Sequence, residues 1–322
     1  MNKYLENLLS SYGRTELCSS VLPAVLNSIS RIAESLRQAH HVSLAGTTNA
    51  FGDGQLNVDI LAEDILRAAL NKCPAVVTVS SEEDPVEQST GDNVESSLEK
   101  YTIAFDPLDG SSIIAPNWTV GTIIGIWDGA SALNQDPSIK QIAAVLGVYG
   151  PRTSAIVALN LPNGERHCIE IGIGKPESMD HEIIRPEVRL AEPPFKTRYF
   201  APANLRCAAE NGKYMDLITH YVSKKYTLRY SGGLVPDVVH ALVKGHGVYV
   251  SPITKESDAK LRRLYELFPI ALVIEAAGGK TVDPADGKDI LARSVAHCDE
   301  RAGLICGTTE EVDHIKRALL GV

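Results

Sequence analysis

The sequence predicts an α/β protein in two layered halves, and three observations support that class. Short apolar runs typical of buried strands alternate with longer segments of helical periodicity. A length of 322 residues exceeds the usual limit for a single hydrophobic core. A segment rich in proline and charge, 185–196, separates two such stretches and predicts a boundary. We therefore expect one half over residues 1–190 and a second over residues 191–322.

Helices come first in the N-terminal half. Apolar residues recur at helical spacing at about 19–39 and 54–71, which predicts two amphipathic helices. A hairpin is predicted around Asn163-Gly164, a dipeptide that favours tight turns between strands. The apolar runs that predict strands lie at 75–80, 101–105, 120–127, 143–150 and 154–160.

The C-terminal half is expected to alternate strands and helices, with a helix near 211–223 and a last strand over 302–308 before a final helix. A long helix is predicted from about Ser257. We expect Pro269 to kink that helix and Gly278-Gly279 to end it. Its apolar stripe consists of Leu261, Leu264, Tyr265 and Phe268.

Composition restricts the partners and the location. The net charge of −9 argues against nucleic acid. No apolar run has the length of a membrane span, and the N-terminal segment lacks the apolar core of a signal peptide, so we expect no membrane partner and a cytoplasmic location. The six cysteines have no metal-binding spacing and are expected to be reduced and mostly buried.

Charge is distributed unevenly along the chain. Residues 81–110 contain nine acids and one lysine, a net of −8. Residues 191–270 contain twelve Lys or Arg against seven acids, a net of +5. Two solvated faces are the ordinary explanation for such a pattern. A cation-dependent enzyme that acts on an anionic substrate produces the same pattern.

The stretch FDPLDGSS (105–112) places two aspartates three residues apart at the end of a predicted strand. An ordinary turn is one interpretation, because Asp-Pro and Asp-Gly both favour turns. A second acidic run, SEED (81–84), follows the preceding strand, however, and α/β proteins build their sites at such strand ends. Clustered carboxylates repel one another unless a cation neutralises them. Oxygen ligands without His or Cys favour Mg²⁺ or Mn²⁺.

The residues after the aspartates are suited to a phosphate. Gly110 allows the backbone to approach a ligand closely, and Ser111 and Ser112 can begin an element whose N–H groups face an anion. The stretch is therefore predicted to contain two metal ligands, Asp106 and Asp109, followed directly by a phosphate seat.

FDPLDGSS preceded by SEED resembles the signature of the magnesium-dependent, lithium-sensitive sugar phosphatases, and the fuller match is to the fructose-1,6-bisphosphatase family. YGPRT and TLRYSGGLVPDV favour its sedoheptulose-1,7-bisphosphatase branch. The resemblance implies a layered α-β-α-β-α sugar phosphatase fold with two fused mixed-sheet halves, assembled as a homodimer or homotetramer. The remaining stretches that carry it are NAFGDGQLNVDILAED (49–64), TVGTIIGIW (119–127), KLRRLYE (260–266) and IEAAGG (274–279).

The resemblance also implies individual roles. The metal ligands are Glu82, Asp106, Leu108 (through its carbonyl), Asp109 and Glu266. The acid pair that positions and deprotonates the attacking water is Asp59 and Glu83. The residues that hold the cleaved phosphoryl group are Gly110, Ser111 and Ser112. The sugar and its distal phosphate are held by Asn204, Arg229, Tyr230 and Lys260, with Arg229 reaching from a neighbouring subunit. Metal binding and catalysis thus belong mainly to residues 1–190, and sugar-phosphate binding to residues 191–322.

For four of these residues the assigned role depends chiefly on the resemblance, and an ordinary structural role is an alternative. Asp59 shares a predicted helix with Glu63 and is open to a solvated role. Glu266 lies off the apolar stripe of its predicted helix, which favours exposure, and Lys260 fits a surface charge in the first turn of that helix. Arg229 lies on a predicted strand and fits an exposed position there.

Two departures from the family bear on the sugar. The fructose enzymes hold the distal phosphate with tyrosines at positions that correspond here to Cys207 and Ser251, which favours a longer sugar. The cysteine pair of the plastid sedoheptulose enzymes has no counterpart, since no cysteine lies between Cys18 and Cys73.

The predicted activity is Mg²⁺-dependent hydrolysis of the 1-phosphate of sedoheptulose 1,7-bisphosphate, with some activity on fructose 1,6-bisphosphate. The nearest alternative is a fructose 1,6-bisphosphatase of gluconeogenesis. An alternative from another class is a catalytically silent regulatory protein that binds sugar phosphates.

Overall fold

The computed structural model describes residues 9, 11–48, 54–90, 97–176, 180–258 and 260–321. Its helices are α1 (Leu22–Gln38), α2 (Asn57–Leu70), α3 (Ser111–Ile114), α4 (Pro137–Lys140), α5 (Cys207–Glu210), α6 (Gly212–Ser223), α7 (Leu234–Lys244), α8 (Phe268–Ala276) and α9 (Thr309–Leu320). Wide π-helical turns lead into α1 and α8, at Leu17–Val21 and Arg263–Leu267. A single 3₁₀ turn within the described ranges covers Ile290–Ala292.

The strands form two main sheets and two short pairs. They are β1 (Leu44–Thr48), β2 (Gly54–Leu56), β3 (Val76–Ser81), β4 (Gln88–Ser89), β5 (Tyr101–Asp109), β6 (Val120–Asp128), β7 (Gln141–Tyr149), β8 (Thr153–Asn160), β9 (Arg166–Gly172), β10 (Glu182–Arg185), β11 (Tyr199–Pro202), β12 (Thr227–Leu228), β13 (Val248–Ser251), β14 (Leu261–Arg262), β15 (Lys280–Val282), β16 (Arg301–Ala302) and β17 (Leu304–Gly307). The larger sheet has the order β10-β9-β8-β7-β6-β5-β3-β4, and the smaller has the order β12-β11-β13-β17-β15. The short pairs are β1-β2 and β14-β16.

Helices and sheets alternate in five layers, as the sequence predicted. Helices α1 and α2 pack with the larger sheet around one hydrophobic core. Helices α7 and α8 contribute to a second core that contains residues of both sheets. Helices α6 and α9 pack with the smaller sheet around a third. Helix α8 is apolar on almost every side, because it lies in the central layer and is covered by strands of both sheets.

The end of β5 departs from the expected turn. Strand β5 continues through Asp109, with a shift of its pairing to β6 between Asp106 and Asp109. FDPLD is therefore the irregular end of a strand rather than a loop that follows it. Strands β3 and β5 are parallel, with Ser81 opposite Phe105, so their carboxyl ends are adjacent. The two acidic runs consequently meet at one edge of the sheet.

The predicted strands, the hairpin at Asn163-Gly164 and the helices near 19–39, 211–223 and the C-terminus are confirmed, with shifted ends. The helix predicted over 54–71 begins only at Asn57, after β2. All six cysteines are free and buried, as expected.

The long helix predicted from Ser257 starts later than expected: helical structure begins only at Arg263, as the π-helical turn that leads into α8, and it ends before Gly278-Gly279 as predicted. Leu261–Arg262 is the short strand β14, paired with β16, and regular α-helix begins only at Phe268. Pro269 does not kink this helix, because it occupies the first turn, where a missing N–H costs no hydrogen bond. Residues 262–274 are buried throughout, so their apolar residues do not mark one face of a helix and do not show where the helix begins.

Among the described residues, no helix combines the length and the apolar character that crossing a membrane requires.

Candidate active site

Three carboxylates meet at the adjoining ends of β3 and β5. Glu82 follows β3, Asp106 lies in the irregular end of β5, and Glu266 lies in the turn before α8. One oxygen atom from each residue lies within 4.8 Å of the oxygens from the other two. We call this group the acidic triad. Three oxygen donors, without sulfur or imidazole, are suited to a hard divalent cation.

Holding these three carboxylates close together and buried disfavours their ionised forms. Burial raises the pKa of Asp106 well above its usual range, and the charges of Asp109 and Glu266 raise it further. Burial also raises the pKa of Glu266 to about 8, although the Arg262 N–H donates to its Oε2 at 2.5 Å. Crowded, buried carboxylates of this kind are stabilised by a bound cation.

Arg262 is a functional residue that the sequence prediction missed. Its side chain is only 2% exposed, and its guanidinium contacts the carboxylate of Glu82. It therefore supplies a positive charge at one corner of the triad. The sequence offered no signal for this role, because KLRRLYE was assigned to one regular helix, whereas Arg262 lies in the short strand β14.

Asp109 lies beside the triad but has a different set of partners. Its two carboxylate oxygens accept hydrogen bonds from the N–H groups of Leu234, at 3.1 Å, and Val235, at 2.7 Å. These donors belong to the first turn of α7, where a helix favours negative charge. Gly121 permits this approach, because a Cβ atom there would lie 2.4 Å from Cβ of Val235. Burial raises the pKa of Asp109 to about 6, against the effect of both hydrogen bonds.

Asp59 is buried at the start of α2, and the solvated alternative does not hold, since its side chain is 2% exposed. Its Oδ2 accepts the N–H of Leu56 at 3.1 Å, and its Oδ1 accepts the hydroxyl of Ser111 at 3.3 Å. Burial raises the pKa of Asp59 to about 6, and its charge raises that of Asp106. Asp59 therefore lies between the expected phosphate seat and the triad.

Glu83 is half-buried and accepts a hydrogen bond from the amide of Gln55 at 2.6 Å. Gln55 belongs to β2, so this bond connects the β1-β2 pair to the acidic run. Residues 49–53, which contain part of the quoted NAFGDG stretch, lie outside the described residues.

The expected phosphate seat follows directly. Gly110 has φ +100°, a left-handed conformation that glycine adopts without strain, and it reverses the chain into α3. Ser111 and Ser112 are exposed in the first turn of α3. The carbonyl of Leu108 accepts the hydroxyl of Ser111 at 3.3 Å, so it faces the same space.

The expected sugar-binding residues are spread more widely. Asn204 is half-buried, and its amide nitrogen donates to the carbonyl of Pro252 at 2.9 Å, which commits it to the loop after β13. Lys260 is exposed and lies outside any regular element, directly before β14, so its expected place in a helix is wrong. Cys207 is fully buried, and its thiol donates to the same Pro252 carbonyl at 3.4 Å. Ser251 is half-buried at the end of β13.

Arg229 and Tyr230 are exposed and line a separate cavity. The Arg229 guanidinium donates to the carbonyl of Leu228 at 2.7 Å and lies 5.8 Å from the ring centre of Tyr199. The structure thus brings Asp59 and Asp109 to the acidic triad, whereas Arg229 lines a cavity whose described lining includes no triad residue.

Comparison with known proteins identifies the relatives of this chain. Residues 5–173 match the family described as fructose-1-6-bisphosphatase, N-terminal domain, and residues 194–320 match its C-terminal domain. The chloroplastic sedoheptulose-1,7-bisphosphatase of Spinacia oleracea is 37% identical over 281 residues, which cover 87% of this chain and 69% of that protein. The class 1 fructose-1,6-bisphosphatase of Syntrophotalea carbinolica is 32% identical over 313 residues, which cover 96% and 91%.

A solved structure from Toxoplasma gondii, assigned as a sedoheptulose-1,7-bisphosphatase, has a TM-score of 0.85 and 35% identity and covers 98% of each chain. Fold and site together define a sugar bisphosphatase, a phosphoric monoester hydrolase. The chain belongs to the fructose-1,6-bisphosphatase family, whose members act on sugar bisphosphates. The resemblance indicated by FDPLDGSS and the other motifs is confirmed.

Proposed function

We propose that the protein removes the 1-phosphate of sedoheptulose 1,7-bisphosphate in a Mg²⁺-dependent reaction, with lower activity on fructose 1,6-bisphosphate. The observation that carries the chemistry is the buried triad of Glu82, Asp106 and Glu266 next to the exposed Ser111 and Ser112. The longer sugar is supported by the identity to sedoheptulose-1,7-bisphosphatases and by the motifs YGPRT and TLRYSGGLVPDV.

The residues present fit a hard cation. Glu82, Asp106 and Glu266 would hold it, with Asp109 and the Leu108 carbonyl as further ligands at its edge. Bound Mg²⁺ supplies positive charge to the phosphoryl and leaving oxygens, and Mn²⁺ prefers the same donors. Because Glu266 comes from the C-terminal half, the proposed site joins the metal-binding half, 1–190, to the sugar-phosphate-binding half, 191–322.

The position and the pKa of Asp59 are suited to a general base. It lies within hydrogen-bond distance of Ser111, and burial brings its pKa to about 6, so the carboxylate is ionised at neutral pH. A base of this acidity both holds a water molecule and accepts its proton. Glu83, held by Gln55, is proposed as its partner in orienting that water. Gly110, Ser111 and Ser112 hold the phosphoryl group.

The sugar end of the substrate is assigned to Asn204, Tyr230 and Lys260, with Arg229 supplied by a neighbouring subunit. This assignment is supported by the excess of basic residues over 191–270 and by the exposure of Arg229, which lines a cavity whose described lining includes no triad residue. The protein is accordingly proposed to be a homodimer or homotetramer.

The second candidate is fructose 1,6-bisphosphatase activity, which the identity to a class 1 enzyme favours. Phosphate release from both bisphosphates, measured with Mg²⁺ and with a chelator, separates the candidates. We expect a higher kcat/KM for the sedoheptulose substrate and no turnover after chelation. A higher kcat/KM for the fructose substrate would reverse the assignment of the sugar. Binding of both sugars without release of phosphate would indicate the silent regulatory alternative.

A further inference from the structure

Helix α2 carries three charged residues on one face. Asp59, Glu63 and Arg67 follow one another at intervals of four residues, so their side chains lie one above the next. Asp59 is the proposed general base, but the proposed reaction assigns no role to the other two. Glu63 is only 8% exposed, whereas its neighbour Asp64 is exposed. Glu63 therefore faces the interior of the protein together with Asp59.

The protein compensates only one of the two carboxylate oxygens of Glu63. Its Oε1 accepts the hydroxyl of Ser81 at 2.8 Å and contacts the guanidinium of Arg67. Its Oε2 is buried and has no hydrogen-bond partner among the described residues. Burial raises the pKa of Glu63, and the nearby charge of Glu83 adds to this rise, whereas Arg67 opposes it. A buried ion pair of this kind is seldom the most stable way to fill its space, which indicates a role beyond stability.

Glu63 contacts the turn that carries the first acidic run, residues 81–84, which we call the SEED turn. The N–H of Ser81 donates to the carbonyl of Asp84 at 3.2 Å, and the N–H of Asp84 donates to Oγ of Ser81 at 3.0 Å. Because the one hydroxyl hydrogen of Ser81 goes to Glu63, Oγ is left as an acceptor for Asp84. Glu82 and Glu83 lie between these two residues. The contact with Glu63 therefore fixes the hydroxyl that closes the SEED turn.

Arg67 holds the same turn from its other end. Its guanidinium lies 3.4 Å from the carboxylate of Asp84 and donates to Oγ of Ser81, also at 3.4 Å. The side-chain amide of Gln88 donates to the same carboxylate of Asp84 at 2.6 Å. Since Glu63 pairs with Arg67, it orients both groups through which α2 contacts the SEED turn.

The SEED turn in turn determines where the triad forms. Ser81 lies opposite Phe105, and the N–H of Glu82 donates to the carbonyl of Phe105 at 3.0 Å. Asp106 follows directly, so a shift of the turn moves Glu82 relative to Asp106. Helix α2 thus carries the proposed base and also holds the turn that supplies a metal ligand.

We propose that Glu63 is a positioning residue for the bisphosphatase reaction, which fixes the SEED turn through the hydroxyl of Ser81 and the guanidinium of Arg67. In this way it holds Glu82 at the metal site and Glu83 beside the attacking water. The role rests on the proposed function, but it concerns a residue that touches neither metal nor substrate. Groups that hold a metal ligand in place contribute about ten- to a hundredfold in metal affinity or activity.

The test is calorimetric titration of Mg²⁺ into the full chain after metal removal, together with phosphate release at saturating Mg²⁺. Glu63→Gln keeps the size of the side chain and one acceptor oxygen but removes the charge. Its dissociation constant for Mg²⁺ should rise about tenfold, and kcat should fall by about the same factor. Ser81→Ala removes the hydroxyl through which Glu63 acts and should have an effect of similar size. The double variant should be little worse than either single variant, because both substitutions remove the same contact.

Two controls separate positioning from a general loss of stability. Asp64→Asn neutralises the adjacent, exposed carboxylate on the same helix and should keep the Mg²⁺ dissociation constant within about twofold of wild type. Glu311→Gln alters a buried carboxylate on α9, outside the candidate active site. It should lower stability, measured by urea unfolding, without weakening Mg²⁺ binding.

Wild-type Mg²⁺ affinity and kcat in Glu63→Gln would overturn the positioning role while leaving the proposed function intact. Additive losses in the double variant would overturn the path through Ser81. Equal weakening of Mg²⁺ binding by Glu63→Gln and Glu311→Gln would show that stability alone accounts for the effect, and would also overturn the role. A wild-type protein that neither binds Mg²⁺ nor releases phosphate would overturn the proposed function, and the role of Glu63 with it.

Discussion

The acidic triad and the buried carboxylate of Glu311 have opposite electrostatic environments. Glu311, on α9, is 1% exposed. It accepts hydrogen bonds from Tyr226 at 2.9 Å and from His246 at 3.2 Å, and it contacts the guanidinium of Arg198. Burial alone raises the pKa of Glu311, but these partners outweigh burial and lower it below the usual value.

At the strand ends the balance is reversed. Asp106 and Glu266 are also buried, but their pKa values are raised by burial and by neighbouring carboxylates. Arg262 contacts Glu82, and together with Arg301 it lowers the pKa of Glu266, but burial outweighs these effects. The difference shows that the fold supplies its own cations where a carboxylate has a structural role. Where the fold leaves carboxylates uncompensated, the site is prepared for a cation from solution.

The largest expected effect is that of Asp106→Asn. Removing this ligand should lower kcat/KM by at least about 10³-fold, comparable to the loss of a major transition-state contact. Without metal, the variant should be no less stable than wild type, because repulsion within the triad is relieved. Phosphate release and urea unfolding in a chelator measure both quantities. Asp64→Asn, the same change at an exposed position on α2, is the control and should leave both unchanged.

Asp59→Asn should lower kcat by about 10²- to 10⁴-fold, the usual contribution of a general base. The wild-type enzyme should lose activity as the pH falls through about 6, since the Asp59 carboxylate is protonated there. The residual activity of the variant should lack this acidic limb. An unchanged acidic limb in the variant would show that Asp59 is not the base.

Glu311→Gln should have the opposite phenotype, a loss of stability with little change in kcat. Removing one partner of a buried ion pair costs about 3 kcal/mol of unfolding free energy. Because the folded-state pKa of Glu311 is lowered, its carboxylate stabilises the fold above the usual pKa, and this stabilisation is lost as the pH falls. The stability difference between wild type and variant should therefore shrink in acid.

Urea unfolding as a function of pH measures this difference. Glu310→Gln, at the exposed neighbour that lies 3.4 Å from Arg198, should change stability by less than about 0.5 kcal/mol. Equal losses in the two variants would remove the contrast between the two carboxylate groups.

The sequence predicted those parts of the fold and site that depend on local pattern. The runs before SEED and FDPLDGSS are continuous and apolar, so both acidic groups were placed correctly at the ends of buried strands. The start of the long helix was predicted wrongly because β14 pairs with β16, about forty residues away. Local periodicity carries no information about that pairing. The contact of Arg262 with Glu82 and the binding of Asp109 by α7 depend on the same kind of long-range packing.

The central claim is that the crowded carboxylates at the strand ends form a metal site, whereas Glu311 does not. Calorimetric titration of Mg²⁺ into the chelated protein tests it most directly. Wild type and Glu311→Gln should bind Mg²⁺ with the same affinity, and Asp106→Asn should show at least a tenfold weaker site, the loss of about one charged contact. Equal affinity in wild type and Asp106→Asn, or no binding by wild type, would contradict the account.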